Sequence, residues 1–280
     1  MSGAWTNDTI APRPAPPPRR RQARGERALG YAVITLLGLL GLGIIAFLVD
    51  SWDTDFFARY APKYLSGLWV TVQLVGLSVV LGAMLSLPVA LGRMSPNRAA
   101  GWAAFAYVYF FRGTPLLAQI FLVYYGAGVF VDELRQAGLW TFFREPWNCA
   151  VFTFTLNTAA YQAEILRGAI ESVPKGQWEA AQSLGLRRWT TFRKIILPQA
   201  LIVALRPYGN EIILMIKGSA IVAIITVLDL MGETRRAFSR TYDFQTYIWA
   251  ALFYLAIVEA LRLVWDRLER RLTRHIRRDD

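Results

Sequence analysis

Apolar residues run along this chain in long unbroken blocks, not in the short alternations of a soluble protein. Leu29 to Val49 contains no charged residue, and neither does Tyr64 to Leu91. Blocks of about 20 such residues are long enough to cross a bilayer core of about 30 Å as helix. The pattern predicts six spans, near 29–49, 66–91, 114–131, 148–168, 203–227 and 246–265. The third follows "RAAGWAAFAYVYFFRGTP", an aromatic amphipathic stretch that predicts an interfacial elbow turning into the membrane at Pro115. The expected fold class is an all-α integral membrane protein.

Charge orients these spans. The 280 residues are 55% hydrophobic and 18% charged, with a net charge of +11. In a soluble chain that excess would suggest nucleic acid. Here the cations flank the apolar blocks, so membrane orientation accounts for them and no nucleic-acid partner is expected. Arg19, Arg20, Arg21, Arg24 and Arg27 precede the first span; Arg93, Arg98 and Arg112 lie between the second and third. Lys175, Arg187, Arg188, Arg193 and Lys194 follow the fourth, and Arg267 to Arg278 follow the last. All of these fall on one side, expected to be cytoplasmic together with both termini. Asp50, Asp53, Asp55, Asp132, Glu133, Asp229, Glu233 and Asp243 fall on the other. Arg235, Arg236 and Arg240 run against the rule there.

The N-terminal "APRPAPPPRRRQARGER" has nothing to bury, so residues 1–28 read as a disordered Pro/Arg-rich cytoplasmic tail. The apolar block after it lacks a small-residue cleavage site and reads as an uncleaved first span. The single cysteine, Cys149, excludes an intrachain disulfide and reads as a packing residue. The lone His275 sits in the basic tail of 267–280, and no metal-binding cluster is expected.

Between the fourth and fifth spans lies a polar, basic segment, 172–198, that contains "EAAQSLGLRRWTTFRKIILP". Pro174 suits a first helical turn and Gly185 a left-handed C-terminal position, so two short helices are expected, the second stopping at Pro198. Trp178, Ala181 and Gly185 share one side of the first, with Ala180 and Leu184 adjoining. That small-residue side suits a groove on another protein. An amphipathic helix resting on anionic lipid is the alternative, and the physics alone leaves both open.

The segment resembles the EAA coupling motif of the permease subunits of bacterial ATP-binding cassette (ABC) importers. Glu179, Ala180, Ala181, Gly185, Ile195, Leu197 and Pro198 fit its spacing. "FRGTPLLAQIFLVYYG", "FTLNTAAYQAEILRGAIESVPKGQWEAA" and "LPQALIVALRPYGNEIILMIKGSAI" are similar to the histidine, arginine and glutamine permease branch. The likeness covers a permease domain at 64–266 with a five-helix core, and leaves residues 29–49 as an extra N-terminal helix. It implies that 172–198 docks into a separate ATPase, and the chain has no G-x-x-x-x-G-K-[ST] phosphate loop of its own. It further implies a permease in the bacterial inner membrane that moves polar amino acids by alternating access. The implied partners are two copies of the ATPase, a second permease subunit, identical or paralogous, and a periplasmic amino-acid-binding protein. The permease would have no catalytic residue and no cofactor, with ATP and Mg on the ATPase.

Polar residues inside spans are costly and mark candidate paths. Thr153, Asn157, Tyr161, Glu164 and Gly168 recur at three- and four-residue steps, which gathers them on one helix face. Polar glue between helices is the alternative reading. In the fifth span Asn210 and Lys217 share a face, with Glu211 and Gly218 adjoining. Lys217 and Glu211 are the expected partners of a zwitterion's carboxylate and ammonium. Pro207 and Gly209 are expected to break this helix and free backbone groups for ligand. The candidate substrate path is thus Asn157, Tyr161, Glu164, Asn210, Glu211 and Lys217.

Overall fold

A computed structural model describes residues 24–50 and 54–274. Of the tail expected at 1–28, residues 1–23 lie outside the described residues, as do the loop at 51–53 with Asp53 and residues 275–280 with His275; the tail's last five residues are instead the start of a helix. Every regular element among those described is helical. The chain falls into two units divided after Asp53. The first contains α1, Arg24–Asp50, whose apolar side chains from Leu29 to Val49 are exposed almost throughout. That surface suits hydrocarbon and nothing polar.

The second unit begins with α2, Thr54–Arg93, a helix of 40 residues and so about 60 Å long. It contains the predicted span at 66–91 and extends it by three turns at the start. α3, Arg98–Gly113, is capped by Asn97, whose Oδ1 accepts from the backbone N–H of Ala99 and Ala100. α4, Leu116–Val129, follows at 103° to α3, the chain turning at extended Thr114 and Pro115. The elbow is where the sequence predicts it. At 14 residues, though, α4 reaches only about 21 Å, so the span predicted at 114–131 exists only as half of a bent pair. Short helices α5, Val131–Gln136, and α6, Trp140–Phe143, lead to α7, Pro146–Glu171.

α7 is the hub of this unit. Cys149, Ala150, Ala159, Ala160 and Ala163 are wholly buried, and their small size lets neighbouring helices approach closely, while wholly buried Phe154 fills the core. Its expected span at 148–168 is present. Its polar residues nevertheless keep it outside the set of helices apolar enough to meet lipid. Four described helices pass that test, and five if the bent pair counts as one span. The expected count of six is thus not confirmed: α7 is largely enclosed by protein, where side-chain partners replace apolar surface.

The polar segment follows as α8, Lys175–Ser183, and α9, Arg188–Thr191. α9 does not stop at Pro198. A π-turn over Phe192–Ile196 carries it into α10, Leu197–Ser219, with Leu197 N–H donating to the Phe192 carbonyl. The wider turn accommodates the proline, whose missing N–H would otherwise interrupt the regular ladder. α10 also runs straight through Pro207 and Gly209. The expected break comes later, in a 3₁₀ turn over Ala220–Ile225 that ends at left-handed Thr226. α11, Leu230–Thr241, was not expected, and α12, Gln245–Leu272, contains the predicted last span at 246–265.

Three apolar clusters tie the unit together. Leu74, Phe154, Ile216 and Ile225 centre one, Ala90, Leu166, Ile196 and Ala200 a second, and Tyr60, Tyr64, Leu230 and Ala250 the third. The first and second bracket α7 along its length.

Candidate functional site

The elbow between α3 and α4 is held by side-chain amides. Gln119 of α4 donates through Nε2 to Thr114 Oγ1 at 2.7 Å and to the carbonyls of Phe111 and Thr114 at 2.9 and 3.1 Å. Its Oε1 accepts from Asn157 Nδ2 at 2.9 Å, and the same Nδ2 reaches the Phe111 carbonyl at 3.0 Å. Carbonyls that the turn leaves without helical partners are thereby satisfied, as they must be away from water. Asn157 thus performs the gluing role, and it also borders a cavity.

That cavity, of about 430 Å³, opens where the elbow faces α7 and α10. Arg112, Thr114, Asn157, Tyr161, Glu211 and Met215 are among its lining. Glu211 is 6% exposed, and its Oε1 accepts from Thr158 Oγ1 at 3.0 Å. Thr158 in turn accepts from Gln162 Nε2 at 3.1 Å. The Arg112 guanidinium lies 5.1 Å from the centre of the Tyr161 ring, within cation–π range. One guanidinium and one buried carboxylate therefore face the same space, flanked by an aromatic ring and amide groups. Such a site can hold a small zwitterion by both ends.

Glu164 lies on the far side of Arg112. Its carboxylate meets Arg93 Nε at 3.0 Å, Arg167 Nη2 at 2.9 Å and Arg112 Nη1 at 3.8 Å. Arginines from α2, α3 and α7 converge on it, so Glu164 serves as their common counter-ion and does not line the cavity. Asn210 and Lys217 are also elsewhere. Seven residues apart, they share a face as expected, but both are exposed, while Glu211 lies a further 100° around α10 and is buried. Asn210 borders a separate space with Arg206, Trp265, Asp266 and Glu269. Lys217 does not line the cavity that Glu211 borders, where Arg112 is the cation present. Arg112, Thr114, Gln119 and Thr158 were missed by sequence reasoning. The available signal was the "RGTP" at the elbow, where arginine directly precedes the turn into the membrane.

The second candidate surface is α8. Pro174 is the N-cap residue, one position before the first turn in which it was expected, and Gly185 has φ +70°, as its spacing predicts. Gly185 N–H donates to the Gln182 carbonyl and Leu186 N–H to that of Ala181, the paired bonds of a Schellman C-cap. One expectation is reversed. Ala181 is 1% exposed, and Trp178 packs on the Ala90–Ile196 cluster, so this side seats α8 on its own spans. The face left open carries Glu179, Ala180, Ser183 and Leu184, the last 78% exposed. Of the remaining motif residues, Ile195 and Leu197 are half-buried in the approach to α10, and Pro198 is exposed.

Residues 78–278 match the family model described as binding-protein-dependent transport system inner membrane component. The nopaline transport system permease protein NocM of Agrobacterium fabrum is 43% identical over 206 residues, 73% of this chain and 86% of its own length. The histidine/lysine/arginine/ornithine transport system permease protein HisM of Escherichia coli is 41% identical over 215 residues, 76% of this chain and 90% of its own length. A crystal structure of an amino acid ABC transporter with histidines superposes with a TM-score of 0.69 at 35% identity, covering 79% of this chain and 99% of that one. An inward-facing MetNI methionine ABC transporter, at 20% identity and a TM-score of 0.62, shares the fold. With that match over most of its length, the chain belongs to the family of binding-protein-dependent transport system inner membrane components.

Proposed function

We propose that this permease subunit moves polar amino acids through the cavity between Arg112 and Glu211. The observation that carries the reading is the pairing of a partly exposed guanidinium with a buried carboxylate around a space of about 430 Å³. An α-amino acid offers a carboxylate to the first and an ammonium to the second, each as a charge-assisted hydrogen bond. The relatives named for histidine, lysine, arginine and ornithine transport, and the structure of an amino acid ABC transporter with histidines, support the same class.

Transport needs a motor, and in this reading the open face of α8 docks into a separate ATPase, two copies of which serve a pair of permeases. ATP and Mg belong to that subunit. Closure of the motors pulls α8, and α8 is seated through Trp178 on the same cluster that holds α2, α7 and α10. Force applied there reaches the helices around the cavity, which alternates its access between the two sides. A binding protein delivers the amino acid on the outer side, and both termini lie in the cytoplasm.

Co-purification of the complex from membranes, followed by reconstitution in liposomes with a panel of amino acids, tests the reading. ATP-dependent uptake of basic or other polar amino acids is the expected result. Uptake driven by an ion gradient without ATP, or transport of sugars or inorganic anions alone, would overturn it.

A further inference from the structure

The three arginines that break the charge rule share one outward face. α11 spends its other side on the fold: Leu230, Gly232, Thr234 and Ala237 are buried, facing α2 and α12. Gly67 of α2 permits this close seating, because a Cβ there would lie 2.7 Å from the Asp229 carbonyl oxygen. Leu230 N–H donates to Thr71 Oγ1 at 3.2 Å, and Asp229 caps the helix through Gly232 N–H at 2.8 Å. The face that remains presents Arg235, Arg236, Ser239 and Arg240, all exposed. Of the carboxylates beside them, Asp229 is wholly buried and Glu233, 7% exposed, meets Arg236 Nη1 at 3.5 Å, so Arg235 and Arg240 carry the outward positive charge.

Aromatic residues border this face. Tyr242 ends α11 in left-handed geometry at φ 53°, unfavourable for a tyrosine, and its side chain is 78% exposed. Phe244 is 69% exposed, and both rings rest against Phe238, at 6.1 and 5.3 Å between centroids. Exposed arginine and aromatic side chains on a rigid support are the composition of protein–protein hot spots. Arginine also favours planar, bidentate pairing with carboxylates.

We infer that the α11 face, with Tyr242 and Phe244 at its edge, is a docking surface for an acidic rim of the substrate-binding protein. This rests on the proposed topology, which places the segment between the last two spans on the outer side. The apolar side of α11 is already committed to α2 and α12, so the helix cannot also lay that side on lipid. Complementary charge here would speed encounter and set register, while the aromatic edge supplies buried contact.

The test uses the whole complex in liposomes and titrates loaded binding protein. Arg240 makes no ion pair among the described residues and is the residue to reverse. Arg240→Glu should raise the half-saturating concentration of binding protein on the order of tenfold, with maximal uptake retained. Arg240→Lys should recover part of that loss, and Phe244→Ser should weaken docking independently of salt. An unchanged half-saturating concentration in Arg240→Glu and Phe244→Ser overturns the inference. So does a defect that appears only in liposomes of anionic lipid, which would make the face a lipid contact. Labelling of Ser239→Cys by an impermeant maleimide separates the two levels. Labelling from the cytoplasmic side alone defeats the topology and the inference with it. Labelling from outside with unaltered titration defeats the docking surface and leaves the transport function standing.

Discussion

The indole of Trp265 lies directly against the α-carbon of Gly209. Its Nε1 donates to the Leu205 carbonyl at 2.8 Å, and a Cβ at residue 209 would collide with the ring. The contact locks α12 onto α10 two residues past Pro207. Gly209→Ala should therefore destabilise the purified subunit by about 1–3 kcal/mol, the usual penalty of overpacking. Trp265→Phe removes the hydrogen bond and part of the packed ring system, and should cost about 1–3 kcal/mol. Thermal unfolding in detergent measures both. A Gly209→Ala protein as stable as wild type would show that the two helices separate without cost.

This contact also shows where sequence reading stops. A glycine and a proline two residues apart in a span look like a break, and Gly209 instead serves close packing. Pro198 looks like a helix stop, and a π-turn carries the chain past it. The apolar blocks, the elbow at Pro115 and the ends of α8 were legible because each depends on local composition or on one residue's backbone freedom. α7 was placed correctly but its surroundings were not, because whether a polar helix meets lipid or protein depends on helices distant in sequence. The same limit governs the site. Glu211 was legible as a costly charge inside a span. Its cation was not, since Arg112 lies in the last turn of α3 just before the 103° bend, and only the packing of that elbow against α7 and α10 brings it to the cavity.

The cavity makes a prediction about the two ends of the ligand. Arg112→Gln and Glu211→Gln should each raise the KM for amino-acid uptake tenfold to a hundredfold, as expected for about 1.5–3 kcal/mol of charge-assisted bonding. Arg112→Lys keeps the charge but not the fork, and should be intermediate. Glu211→Gln retains an acceptor for Thr158, so assembly with the partner subunits should survive. Uptake kinetics in liposomes check this. Unchanged KM in both glutamine variants would move the substrate away from this cavity.

Asp229 gives a pH dependence. Burial pushes its carboxyl up from 3.8 to about 6, against the lowering effect of the Gly232 and Met231 N–H groups. The folded state thus holds the proton more tightly than the unfolded chain. The associated stability is complete below about pH 4 and is lost as pH rises through about 6, a change of roughly 2–3 kcal/mol. Asn at this position keeps the cap and cannot ionise. Asp229→Asn should accordingly raise the melting temperature at pH 7.5 and flatten its decline between pH 4.5 and 7. Asp229→Ala loses the cap and should fall about 1 kcal/mol below the asparagine variant. Equal slopes for wild type and Asp229→Asn would remove Asp229 as the titrating group.

The coupling segment supplies the most direct functional test. A Cβ at residue 185 would meet nothing within 4 Å, so a side chain there is resisted by the backbone alone, through φ +70°. That geometry costs an ordinary residue about 1–2 kcal/mol, more for a β-branched one, and least for asparagine. Gly185→Val should therefore unwind the Schellman turn and tilt α8, abolishing ATP-driven uptake while the protein still enters the membrane. Gly185→Asn should retain most activity, which separates backbone strain from any need for a bare surface. Glu179 lies on the open face of α8, and Glu179→Lys should release the motor or leave its ATP hydrolysis unlinked from transport. Membrane fractionation, retention of the ATPase on purification, and uptake in liposomes read the three effects separately. Wild-type uptake by both Gly185→Val and Glu179→Lys, with the motor normally bound, would show that α8 does not transmit force.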